Sequence, residues 1–177
     1  SLPEASRLGA LLADLHGDLA LVLPVVPERM REAVTEPARA KDRIDRYAAA
    51  AHRPDPDAMD AFVADRMRRR RRLLADVAHL RPADDVEVGP CGWVHGDFQH
   101  FNVLWQDGMV SAVLDWDRVK PRPLAAELVR SATLLFGHGD DRGLDLDRVA
   151  AFADGYRLRR VLAAGDLADA VHRLWWE

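Results

Sequence analysis

Three polar residues between positions 97 and 115 have types and spacing that suit chemistry on a small molecule: Asp97, Asn102 and Asp115. Asp97 and Asn102 lie on the segment His95-Gly96-Asp97-Phe98-Gln99-His100-Phe101-Asn102, which leads into a short apolar run. Asp115 closes the next such run. Between the runs stands Asp107-Gly108, a dipeptide that favours a two-residue hairpin turn. Folding back there brings Asn102 and Asp115 to the same end of the hairpin, with Asp97 close by. An amide oxygen and a carboxylate are hard ligands, and so small a set suits Mg²⁺, which keeps waters and binds phosphates too. The amide adds no second negative charge beside Asp115. A separate carboxylate can then orient an attacking hydroxyl and accept its proton, and Asp97 fits that role. The chemistry implied is phosphoryl transfer.

The elements around this segment are mostly helical. Leu8, Leu11, Leu12, Leu15 and Leu19 recur at helical spacing behind Pro3. Glu28 to Ala51 is charged and alanine-rich and reads as one or two partly exposed helices. After a Pro54/Pro56 loop, a long helix is expected from Ala58 to Leu80, with Phe62, Leu73, Leu74, Val77 and Leu80 as its apolar stripe. Pro82 to Pro90 reads as a loop, Trp93-Val94 as a short apolar piece, Asn102–Trp105 and Met109–Leu114 as the hairpin strands. Helices resume over Leu124–Phe136, Asp147–Ala164 and from Asp166 onward, with Gly137 to Gly143 as a loop. The expected order is helices, one small β-hairpin region, then helices, without internal repeat.

Composition narrows the function classes. The chain has 177 residues, 49% apolar and 31% charged, with net charge −4, so no global attraction to nucleic acid or anionic lipid is implied. Arg68 to Arg72 form a run, but five consecutive positions spread around a helix and read as a solvated, ion-paired surface rather than a nucleic-acid patch. The lone Cys91 excludes an internal disulfide and reads as a small buried residue. His100 and His138 have no soft partner at ligand spacing. No apolar run is long enough to span a bilayer, and a cytoplasmic protein is the default expectation.

His-x-Asp, four residues, then Asn, with an Asp after the following hairpin, is the pattern of a kinase catalytic loop and its metal-binding partner. In the form His95-Gly96-Asp97 with Leu114-Asp115-Trp116-Asp117, it resembles the aminoglycoside phosphotransferase and choline kinase-like family. The "LLADLH" of Leu11 to His16 and the "AVHRLWW" of Ala170 to Trp176 are also similar to that family. The resemblance implies an α+β, mostly α-helical fold, the C-terminal lobe of the protein-kinase-like fold, with a small β-hairpin carrying the catalytic loop. It implies ATP and Mg²⁺ as cofactors and a small-molecule hydroxyl as acceptor, often on a cationic molecule. Asp97 would be the catalytic carboxylate. Asn102 and Asp115 would hold the metal and through it the nucleotide, and Leu104 would floor the adenine pocket. His95 would buttress the loop, Glu127 stands where the family more often has Asp, and Asp117 stays outside the catalytic set. The Asp140-Asp141 region could attract a cationic acceptor.

A kinase also needs a Gly-rich loop and a strand-borne lysine. No G-x-G-x-x-G occurs, and only Lys41 and Lys120 are lysines, neither in a fitting strand. Residues 1–177 are therefore expected to be the C-terminal lobe alone, with the N-terminal nucleotide lobe and the extreme C-terminus absent, and to be inactive unaided. The apolar Trp175-Trp176 would be core that has lost its cover. Two other readings are a non-catalytic kinase-like binding module and a metal-dependent hydrolase using His95, Asp97 and Asp115. The acceptor, the oligomeric state and a preference for ATP over GTP cannot be read from the residues.

Overall fold

The structure, a computed structural model, describes residues 1–138 and 143–176. The Asp140-Asp141 region lies outside the described residues. Helix accounts for 57% of the fold, beside short strands, which makes it α+β. The chain divides into two compact units: Ser1–Glu32 with Val86–Leu174, and Ala33–Asp85 with Trp175 and Trp176.

The first unit is built on helix α1 (Leu2–Val22), started by a capping box in which Ser1 accepts from the Glu4 amide and the Glu4 side chain reaches back. Its leucine stripe buries Leu8, Leu12 and Leu15, and His16 lies on the same buried face. Three two-stranded antiparallel sheets follow: β1 (Met30–Arg31) with β2 (Glu87–Val88), β3 (Cys91–Val94) with β6 (Lys120–Pro123), and β4 (Val103–Gln106) with β5 (Met109–Val113). Sequence reasoning found only the last. β6 reads Lys-Pro-Arg-Pro, and two prolines without N–H groups disguise a strand that pairs along one edge only. The β4–β5 turn has Asp107 at φ 51° and Gly108 at φ 75°, the conformation that Asp-Gly was chosen for. Register shifts by one between Leu104/Ala112 and Trp105/Val110, so Ser111 forms a bulge.

Helices α4 (Leu124–Phe136), α5 (Leu146–Arg157) and α6 (Ala164–Trp175) complete this unit. Its core gathers Leu8 and Leu12 of α1, Val94, Phe98 and Val103 from the strand region, Leu128 and Phe136 of α4, and Phe152 and Tyr156 of α5. α1 and α5 touch backbone to backbone. A Cβ on Gly9 would fall on the carbonyl of Phe152, and one on Gly155 on the carbonyl of Ser6. None of the described helices is long and apolar enough to cross a membrane.

The second unit pairs α2 (Pro37–Ala50) with α3 (Ala58–Val77), followed by a 3-10 turn to Leu80. Its small core holds Val34, Ile44, Leu74 and Trp176. Trp176 is only 4% exposed, so this tryptophan has cover, contrary to the expectation of a stripped core residue. The expected α3 stripe is largely exposed at Phe62, Leu73 and Leu80, because a helix with one partner helix buries only a narrow seam. The arginine run is solvated, with Arg68 and Arg69 paired to Asp65, and Arg71 to Asp45.

Candidate active site

β3 ends at Val94 and delivers His95-Gly96-Asp97 into the interior of the first unit. Gly96 has φ 84°, and a Cβ there would collide with the Arg118 carbonyl, so both conformation and space demand glycine. His95 is fully buried and ties the two halves of the site together. Its Nε2 donates to the Leu114 carbonyl at 2.9 Å, while Nδ1 accepts from the Asp97 amide at 3.3 Å. Its ring also meets the Trp116 ring edge-on, centroids 4.9 Å apart. These contacts fit the buttressing role expected of His95.

Beneath this turn lies Glu127 of α4, 4% exposed. Its Oε2 accepts from the His95 amide at 2.9 Å, and Oε1 accepts from the Gly96 amide. The two carboxylate oxygens thus take one amide each. The same Oε2 accepts from His16 Nε2 at 2.7 Å, and His16 Nδ1 accepts from the Tyr156 hydroxyl at 2.8 Å. Burial, with the Glu127 charge adding to it, pushes the Tyr156 phenol well above its ordinary range, so it stays a protonated donor. Three helices thus converge on two backbone amides of one loop. Sequence reasoning saw His16 only as part of a family-like stretch. The available signal was a histidine placed on the buried leucine stripe of α1, where an interior polar ring needs partners.

Asp97 is itself mostly buried. Its Oδ2 accepts from Gln99 Nε2 at 2.9 Å and from Asn102 Nδ2 at 3.3 Å, and Oδ1 faces Arg130 Nη2 at 3.3 Å. Asn102, on the 3-10 turn before β4, also donates Nδ2 to the Asp97 carbonyl at 2.9 Å. With Nδ2 turned to Asp97, the Oδ1 of Asn102 is left to accept or to ligate. The Leu114 amide donates to the Asn102 carbonyl at 2.8 Å, which closes the base of the hairpin and sets Asp115 directly beyond it. Asp115 has φ 64°, a left-handed conformation that Asp tolerates better than most residues. It is exposed and has no protein hydrogen bond or ion pair among the described residues. An amide oxygen and an unpaired carboxylate at one hairpin end form a donor set that fits a hard cation. Among the described residues no group of three or more His, Cys, Asp or Glu is set to hold a metal, so any ion here draws further ligands from water or phosphate.

The structure thus brings Asp97 and Asn102 into hydrogen-bond contact and Asp115 next to Asn102 along the backbone pairing. Leu104 lies on β4, 45% exposed, and Phe101, Trp105, Met109 and Trp116 are also exposed around the hairpin. Cys91 is half-buried, donates to the Val88 carbonyl, and has its thiol pushed up to about 11 by burial. It is packed but less buried than the sequence suggested.

No curated protein matches the chain. Similar solved structures include the macrolide 2'-phosphotransferase MphH from Brachybacterium faecium, apoenzyme (18% identity, TM-score 0.49), and an aminoglycoside-3'-phosphotransferase of type VIII (21% identity, TM-score 0.47). The alignments cover 99% of this chain but 50% and 61% of those chains, so it spans between half and two thirds of their length. The model of the APH phosphotransferase enzyme family matches residues 1–162, from α1 through the His95–Asn102 segment to α5. By that match over most of its length, this chain belongs to the phosphotransferase enzyme family.

Proposed function

We propose that residues 1–177 are the C-terminal, catalytic lobe of an ATP- and Mg²⁺-dependent phosphotransferase that acts on a hydroxyl of a small molecule. The observation that carries this reading is Asp97: a carboxylate on a loop whose amides are clamped from below, with Asn102 holding one oxygen and an unpaired Asp115 nearby. Asp97 orients the acceptor hydroxyl and takes its proton as the phosphoryl group moves. Asn102 Oδ1 and the Asp115 carboxylate would hold Mg²⁺, which offsets phosphate charge when bound. Leu104, exposed beside the site, would support the adenine ring, with nearby apolar side chains excluding water.

His95 and Glu127 hold the loop in place. A loop fixed before substrate arrives needs little reordering during transfer, which is how preorganisation lowers a barrier. The acceptor is proposed as an aminoglycoside-, choline- or amino-alcohol-like molecule. The nucleotide lobe would come from sequence outside this chain. The test is ADP release by the full-length enzyme with ATP and Mg²⁺, against a panel of an aminoglycoside, a macrolide, choline, ethanolamine and a hexose. At least one acceptor is expected to raise ADP release above the rate with water. Residues 1–177 alone are expected to show no turnover, and clear ATP-dependent turnover by them would remove the single-lobe reading.

A further inference from the structure

The two oxygens of Asp97 have different neighbours. Oδ2 is held by two neutral amides, those of Gln99 and Asn102. Oδ1 faces a cation, Arg130 Nη2, at 3.3 Å. Arg130 stands one turn after Glu127 on α4, so the helix that clamps the loop backbone also sends a positive charge to its carboxylate.

Two features separate this arginine from a structural one. Its side chain is 27% exposed against 10% for Asp97, so the guanidinium is the part of the pair that meets solvent. Its contact is single and longer than the roughly 2.7–2.9 Å of a tight charge-assisted bond, and its other N–H groups have no protein acceptor among the described residues. Arg173 shows the contrast in the same unit. It is 6% exposed and donates to Asp169 at 2.7 Å and to the Glu32 carbonyl at 3.0 Å. Arg130 stands beside its carboxylate with donors to spare.

An acceptor hydroxyl bonded to Asp97 lies about 2.7 Å from it, and the phosphorus it attacks roughly 3–3.5 Å further on. A guanidinium already next to Asp97, on a rotatable three-carbon stem, reaches that phosphoryl group. During transfer the hydroxyl proton passes to Asp97 and the acceptor oxygen–phosphorus bond forms. The bond from phosphorus to the leaving nucleoside diphosphate breaks, with its electron pair staying on the diphosphate. Negative charge spread over the phosphoryl oxygens then needs offsetting on the acceptor side as well as on the metal side. We propose that Arg130 is a catalytic residue: it steadies Asp97 Oδ1 before transfer and donates N–H groups to the phosphoryl group as it passes to the acceptor. This rests on the reading of Asp97 as the base.

The experiment uses the full-length enzyme with MgATP, and as acceptor water and each molecule of the panel above. Arg130→Ala is expected to lower kcat by about 10²–10³-fold, as loss of one transition-state donor does, with KM for ATP and acceptor within about threefold of wild type. Guanidinium chloride at sub-denaturing concentration is expected to restore kcat saturably in Arg130→Ala and not in Asp97→Ala. Arg130→Lys keeps the charge and the stem and is expected to lose about tenfold. A kcat within about fivefold of wild type for Arg130→Ala, a loss confined to KM, or a folded Arg130→Ala enzyme that guanidinium does not rescue would each overturn the proposal. If Arg130→Ala does not fold, wild-type kcat in Arg130→Lys overturns it. Full turnover by Asp97→Ala overturns both this proposal and the reading of Asp97. An inactive Asp97→Ala beside unimpaired Arg130 variants overturns this one alone.

Discussion

Asp97 and Asp115 flank the same small hairpin, yet the structure treats them in opposite ways. Asp97 is mostly buried, and three side chains reach its two oxygens. Asp115 is exposed, sits at φ 64°, and has no protein partner among the described residues. One carboxylate is held in place by the fold; the other is open to solvent, as the proposed metal role requires. On the proposed reading, position matters most for Asp97, which would meet a hydroxyl in one geometry, and availability for Asp115, whose partner would be an ion.

Four substitutions in the full-length enzyme test that contrast. The largest effect is expected from Asp97→Ala, a fall of about 10²–10⁴-fold in kcat by ADP release, the range associated with loss of a positioned base. Turnover near wild type would collapse the contrast. Glu127→Ala should follow. It strands the buried His95 amide, the partly buried Gly96 amide and the His16 ring, and stability measured by urea unfolding should drop by about 3 kcal/mol or more. An unchanged midpoint would show that the clamp is not needed. Asp115→Ala should behave differently from both. The melting temperature is expected to fall by only a few degrees, the cost of alanine at φ 64°, because no protein contact is lost, while the Mg²⁺ concentration for half-maximal activity rises about tenfold or more. A large fall in melting temperature would mean that Asp115 is structural. The smallest effect is expected from Leu104→Ala, a rise of about threefold in KM for ATP with kcat preserved, from the apolar contact removed.

The contrast was only half legible in the sequence. Asp107-Gly108 specifies the turn by local conformational preference, so the approach of Asn102 and Asp115 followed from a dipeptide and two apolar runs. Leu124–Phe136 was equally readable, since Pro123 and Gly137 bound an apolar period. The environment of Asp97 was not. Arg130 lies 33 residues away in sequence, and the His16–Glu127 bond joins residues 111 apart. Periodicity and turn chemistry act over a few residues and carry no information about such meetings. The pairing of β3 with β6 was hidden for a different reason: proline normally argues against a strand, and only a lone two-stranded edge lets Pro121 and Pro123 stay. Trp176 was misjudged because its neighbours Val34, Ile44 and Leu74 come from a segment whose helices carry few apolar residues.

The bare contact between α1 and α5 has a reach beyond packing. Gly9 and His16 are seven residues apart on α1, two turns and about 10 Å along one face, while Gly155 and Tyr156 are neighbours on α5. The glycine crossing therefore acts as a gauge block: it sets how far His16 slides past Tyr156, and so where the imidazole presents itself to Glu127. A methyl group added at Gly9 would push the two helices apart at a point remote from any reacting atom. The error would travel along α1 to the imidazole and from there to the amides of His95 and Gly96. On the proposed reading, such a variant would slow the full-length enzyme from a distance, through the spacing of two helices.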